Sequence, residues 1–152
     1  MLKFENTIRI DRPVDEVFAF LLDFENIPKW NYYVLEVRQL SESPRGVGTT
    51  YRQVRKTNEQ YFRTIEFEPD HTVAAKTLPQ SSPRLEMRSS LYEEGNATRI
   101  RDEWKLDVGL PAMLERLALR SVKSAVAQNL AKLKELLEEG RVILHDGRQV
   151  TL

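Results

Sequence analysis

Residues 110–140 read LPAMLERLALRSVKSAVAQNLAKLKELLEEG, and this stretch decides the fold. Pro111 suits the start of a helix, where its missing N–H leaves nothing unpaired, and Gly140 suits the position just past the end. Between them Leu119, Val122, Val126, Leu130, Leu133 and Leu137 fall within one narrow arc of a helical wheel, with Lys123, Lys134, Glu135 and Glu138 off it. The spacing predicts one long amphipathic helix over about 110–139 that needs a broad apolar surface to lie on. Its first turns differ from the rest. Leu110, Met113, Leu114, Leu117, Ala118 and Leu119 leave little polar face there, which fits either an end that gates a cavity or a helix that starts deeper in the protein. Glu115 projects onto the apolar arc and is read as a helix-end carboxylate reaching water.

The surface is supplied by the preceding residues. Leu2, Phe4, Ile8 and Ile10 recur with period two, so 2–10 is a strand with one buried face. Asp11 as a cap, Pro13, the acidic Asp15 and Glu16, and the stripe Val14, Val17, Phe18, Leu21, Leu22 predict a helix over 13–24. A second short helical turn follows around Ile27–Trp30. Six further strands are expected at about 32–40, 48–57, 60–68, 71–78, 84–93 and 97–107. Their turn signals are Ser43-Pro44-Arg45-Gly46, Thr57-Asn58-Glu59, Pro69-Asp70, the run from Pro79 to Pro83, and Glu94-Gly95-Asn96. Such short connections cannot carry parallel crossovers, so the strands form an antiparallel meander. The class is α+β.

Composition narrows the function. The 152 residues match one domain with a substantial core, and no linker, repeat or low-complexity segment divides them. Lys plus Arg and Asp plus Glu stand at 23 each, so no positive excess points to nucleic acid. The chain has no cysteine and two histidines, His71 and His145, neither placed as a catalytic or ligating group. No phosphate loop is expected, because Arg45-Gly46-Val47-Gly48 is followed by no Lys-Ser/Thr pair, and no metal site, because no two imidazoles stand at ligand spacing and the carboxylates are scattered; no cofactor is expected. The start MLKFENTIRI is unlike a signal peptide, and no apolar run approaches the ~20 residues of a membrane span. A cytoplasmic location is expected.

The order strand, helix, short helix, six strands, long helix carries a resemblance. Residues Ile8 to Phe18 (IRIDRPVDEVF) and Leu22 to Asn31 (LDFENIPKWN) resemble the opening of the START-like, polyketide cyclase/dehydrase superfamily (SRPBCC), which includes birch-pollen-allergen-like proteins. Gly46-Val47-Gly48-Thr49, Ala97-Thr98-Arg99-Ile100 and Leu130 to Glu138 resemble its later marks. The resemblance spans about residues 4–139. It implies a helix-grip fold over 1–139: a seven-stranded curved antiparallel sheet around the C-terminal helix, two short helices after the first strand, and an apolar cavity between. Members carry lipids, bind hormones, cyclise polyketides or regulate other proteins, and the fold alone does not choose among these.

Strand parity names the candidate site. With Ile100 inward, Thr98, Asp102, Trp104 and Leu106 also point inward. Leu85, Met87, Ser89 and Leu91 line the neighbouring strand, and Tyr51 with Gln53 share a face of another. Counting back from Ile65 and Phe67 carries Tyr61 and Arg63 inward as well. Asp102 is then a carboxylate on an apolar face. It either pairs with Arg63 or the backbone, or the two anchor a ligand, or Asp102, Arg63 or Tyr61 moves protons for a cyclase or dehydratase. The candidate ligand-binding set is Tyr51, Gln53, Tyr61, Arg63, Met87, Asp102, Trp104, Met113 and Leu117. The leading expectation is a non-catalytic module that binds or transports an apolar small molecule.

Residues 140–152 lie outside the resemblance. Asp146-Gly147 between two apolar runs predicts a hairpin. Such a hairpin needs a surface, on its own domain, where a sheet edge is one ready partner, or on a second copy in a homodimer; the alternative is a frayed terminus.

Overall fold

The computed structural model describes residues 1–42 and 44–152; Ser43, the first residue of one expected turn, lies outside the described residues. Seven strands form one antiparallel sheet: β1 (Leu2–Ile10), β2 (Val34–Gln39), β3 (Thr50–Arg55), β4 (Glu59–Glu68), β5 (Thr72–Thr77), β6 (Arg84–Glu94) and β7 (Ala97–Asp107). Their order is β1-β7-β6-β5-β4-β3-β2, a meander closed by the return of β7 to the first strand. Helix α1 (Val14–Leu22) and a short 3₁₀ helix (Phe24–Lys29) bridge β1 and β2, and α2 (Ala112–Glu139) follows β7. This is the helix-grip architecture. No helix of the described residues is long and apolar enough to cross a membrane.

An edge strand exposes unpaired backbone groups, and α2 covers one such edge by running along β1. The Met1 amine meets Glu115 at 2.7 Å, Asn6 Nδ2 donates to the Lys123 carbonyl at 3.3 Å, and Lys134 Nζ donates to the Arg9 carbonyl at 2.6 Å. Glu115 is thus paired with the chain terminus. Asp11 does not cap α1; Pro13 holds that position without a side-chain bond, and the Asp11 N–H donates to Glu138 at 2.6 Å.

The apolar arc of α2 is buried unevenly. Leu130, Leu133, Leu136 and Leu137 are buried with Asn129, whereas Met113 is 85% and Leu117 69% exposed. The core joins Leu130, Leu133 and Leu137 to Ile10, Val17, Phe18, Tyr51, Phe62, Leu91 and Ile100.

One strand departs from period two. Along β4 the pairing with β5 passes from Thr64↔Ala75 to Glu66↔Ala74, so Ile65 is an additional residue, a β-bulge. A single inserted residue exchanges the faces. Gln60, Phe62 and Thr64 are therefore buried before it, and Phe67 packs on Phe18 after it. Parity carried back from Phe67 through the bulge gives the wrong face, so Arg63 is exposed and Tyr61 lies on the same outer side.

The tail forms a hairpin of β8 (Arg141–Ile143) and β9 (Gln149–Thr151). Gly147, at φ 89, donates to the Leu144 carbonyl at 2.9 Å, and Asp146 pairs with Lys56 at 3.1 Å. The hairpin docks within the chain on α2 and the 3₁₀ corner and adds no strand to the seven-stranded sheet. Val142 and Leu144 are buried with Leu136, against Phe20, Trp30, Tyr32 and Val150. Arg148 Nη2 donates to the Tyr32 carbonyl at 3.0 Å. The Leu144 and Leu152 amides, bonded to Arg148 and Gly140 carbonyls, are expected to exchange with solvent more slowly than in an unfolded peptide. Exchange at the unfolded rate would contradict the docked tail.

Candidate functional site

Inward parity on adjacent antiparallel strands brings side chains from distant positions onto one concave face. Between that face and α2 lies a space of about 80 Å³. β7 contributes Ile100, Asp102 and Trp104; β6 contributes Leu85, Met87 and Ser89; Val73 and Ala75 come from β5, Phe62 from β4 and Gln53 from β3. α2 closes it with Val126, Asn129 and Leu130. Phe20, Leu21, Asp23, Phe24, Ile27, Trp30 and Asn31 complete the wall from α1 and the corner after it.

Asp102 is buried in this wall. Ser89 sits directly across the ladder, and its Oγ donates to one carboxylate oxygen at 3.2 Å. Trp104, two residues along the same face, donates Nε1 to the other at 2.5 Å. The Trp104 ring is fixed in turn by Phe4, stacked at 5.9 Å. Burial pushes the Asp102 carboxyl up to about 6, against the pull of the Trp104 and Ser89 hydrogen bonds, and the nearby Glu103 charge raises it further. Its expected partner Arg63 is on the opposite face of the sheet, so no ion pair between them forms.

Four expected residues come together here: Gln53, Met87, Asp102 and Trp104. Tyr51 is buried on the same strand face as Gln53 but packs against Phe24 at 5.0 Å, outside the lining. Burial raises its hydroxyl pKa, with Arg45 pulling the other way. Tyr61 and Arg63 face away because of the bulge. Met113 and Leu117 sit on the exposed opening turns of α2 and touch no part of the space.

Sequence reasoning missed Asn129. It lies three residues after Val126 and four before Leu133, at the edge of the apolar arc of α2, and that placement was its signal. The side chain is 8% exposed and its Oδ1 has no hydrogen-bond partner. Gln53, by contrast, donates Nε2 to Gln60 at 3.3 Å. Asp23, the second carboxylate of the lining, caps the 3₁₀ helix and pairs with Arg45 at 3.3 Å.

Chemically the arrangement offers an apolar wall, one buried carboxylate with a near-neutral pKa, and one unsatisfied amide. His71 hydrogen-bonds Leu91 through Nδ1 at 3.1 Å, and His145 packs on Tyr32 at 5.3 Å, both outside the lining. Among the described residues no group of three or more His, Cys, Asp or Glu is arranged to hold a metal ion.

No curated protein matches the chain in sequence. Solved structures match its fold. A Thermus thermophilus protein, TTHA0849, superposes with a TM-score of 0.72 at 18% identity over 88% of this chain and 94% of its own. A START superfamily protein from Mycobacterium smegmatis gives 0.67 at 18% identity over 89% and 98%. The Aha1 protein of Colwellia psychrerythraea, whose solution structure is of a dimer, gives 0.68 at 19% over 91% and 97%. The model of the family described as polyketide cyclase / dehydrase and lipid transport matches residues 1–138, the sheet and all but the last residue of α2, and the chain belongs to that family.

Proposed function

We propose that the chain binds or transports an apolar, lipid-like or aromatic small molecule in the space between the sheet and α2. The observation that carries this reading is the lining itself: apolar side chains from four adjacent strands, β4 to β7, and from α1, the 3₁₀ helix and α2, with a few polar groups that would orient an occupant. Its volume of about 80 Å³ is small beside the ~300–1,000 Å³ of typical small-molecule sites, so a larger occupant needs the walls to move. Met87 is the most deformable part of the wall.

Native mass spectrometry of protein purified from its own cell tests the reading directly. A retained small molecule supports it; bare protein that also fails to take up an apolar environment-sensitive dye would contradict it. Met87→Trp puts an indole into the space and is expected to abolish dye binding with the circular dichroism spectrum preserved. Unchanged dye affinity in the folded variant would remove the space from consideration as the binding site.

A cyclase or dehydratase is the second reading, and it rests on Asp102. A buried carboxyl with a pKa of about 6 holds and releases a proton near neutral pH, as general acid–base chemistry requires. The lining supplies it with no independent second acid or base, because Asp23 is engaged with Arg45. Binding without turnover is therefore the better supported of the two.

A further inference from the structure

The polar chemistry of the lining is one-sided. Among the described residues around the space are two carboxylates, Asp23 and Asp102, and no lysine, arginine or histidine. Asp23 already has Arg45; Asp102 has no cation. An ionised carboxylate can accept about four hydrogen bonds, and Asp102 receives those of Ser89 and Trp104. On the facing helix Asn129 presents a buried Oδ1 with nothing bound to it. An unpaired charge and an orphaned amide oxygen are both costly in apolar surroundings. A single bound group that brings N–H donors and positive charge relieves both.

We propose that the occupant of this space is an apolar amine, an aromatic ring or short hydrocarbon carrying a protonated amino group whose N–H groups meet the Asp102 carboxylate and Asn129 Oδ1. This rests on the binding reading above and specifies its ligand class. An ammonium offers three donors and no acceptor, the complement of two acceptors. A fatty acid or other carboxylate would bring a like charge to Asp102 with no cation in the wall to offset it. A plain hydrocarbon would fill the volume and leave both polar groups unmet.

Isothermal titration of the full chain near neutral pH with 2-phenylethylamine, propylbenzene and phenylacetate separates these cases. The amine is expected to bind about tenfold tighter than propylbenzene or better, with phenylacetate weakest. Asp102→Asn should abolish the advantage of the amine over propylbenzene. Asn129→Leu should weaken the amine without improving phenylacetate. Propylbenzene binding as tightly as the amine, or phenylacetate binding tighter, overturns the amine assignment and leaves the binding reading standing. Binding of none of the three overturns both. The wild-type ranking decides the matter even where a variant does not fold.

Discussion

Asp102→Asn is expected to stabilise the free protein at about pH 7.5 by on the order of 3 kcal/mol, and by far less near pH 4. The carboxyl titrates at 3.8 when unfolded and at about 6 when folded, chiefly because burial disfavours its charge. Below 3.8 it is protonated in both states and costs the fold nothing. As pH rises through the window from 3.8 to about 6 the unfolded chain releases the proton first, so stability falls; above that window the full penalty remains. Asparagine stays neutral throughout and can still accept from one of the two donors, Trp104 or Ser89. The gap between variant and wild type should therefore open across this window and then stay constant. Urea unfolding of both proteins at the two pH values measures it. Subtracting wild type removes opposing groups such as Glu138, where burial alone would raise the pKa but Lys134 and the Asp11 N–H outweigh it and lower it. A constant difference at both pH values would contradict the assignment. Should the amine proposal hold, the same substitution removes affinity while adding stability, the exchange expected where a site is kept strained for binding.

Leu136→Ala is expected to cost about 2–5 kcal/mol, the range for deleting a fully buried leucine side chain. Leu136 is inaccessible to solvent and is shared by α2 and the hairpin, touching the cluster of Val142 and Leu144. The same substitution in a chain lacking residues 141–152 should cost clearly less, because part of what surrounds the side chain is already gone. Residues in contact show such non-additivity on the order of 0.5–3 kcal/mol. Urea denaturation of the four proteins measures it, and strict additivity would show that the hairpin does not rest on Leu136.

Much of the architecture was legible in the sequence because alternation and short turns are local signals. β7 illustrates this: Thr98, Ile100, Asp102 and Leu106 are buried as their parity requires, and β6 places Met87 and Ser89 beside them. β4 shows where the signal ends. Nothing near Ile65 marks the additional residue, since a bulge is fixed by the pairing with β5 and not by the bulged residue. Tyr61 and Arg63 were misplaced as a result, and with Arg63 went the expected partner of Asp102. The periodicity of the long helix covers its whole length and overshoots its start by two residues, yet apolarity alone does not put Met113 and Leu117 in the cavity. Helical periodicity says which side chains share a face, not how far along the helix the sheet extends. For Asn129 the position was available in the wheel, but its meaning depended on what stood opposite.

The uneven anchoring of α2 bears on time as well as on affinity. Its buried side chains lie between Asn129 and Leu137, so the turns from Ala112 to Val122 can unwind without disturbing the main core. Such fraying costs less free energy than global unfolding and recurs far more often. For an occupant of the proposed site, which would sit behind Val126, an opening that spreads from those turns as far as Val126 would place an upper limit on the rate of exit, a limit belonging to the helix and shared by every occupant.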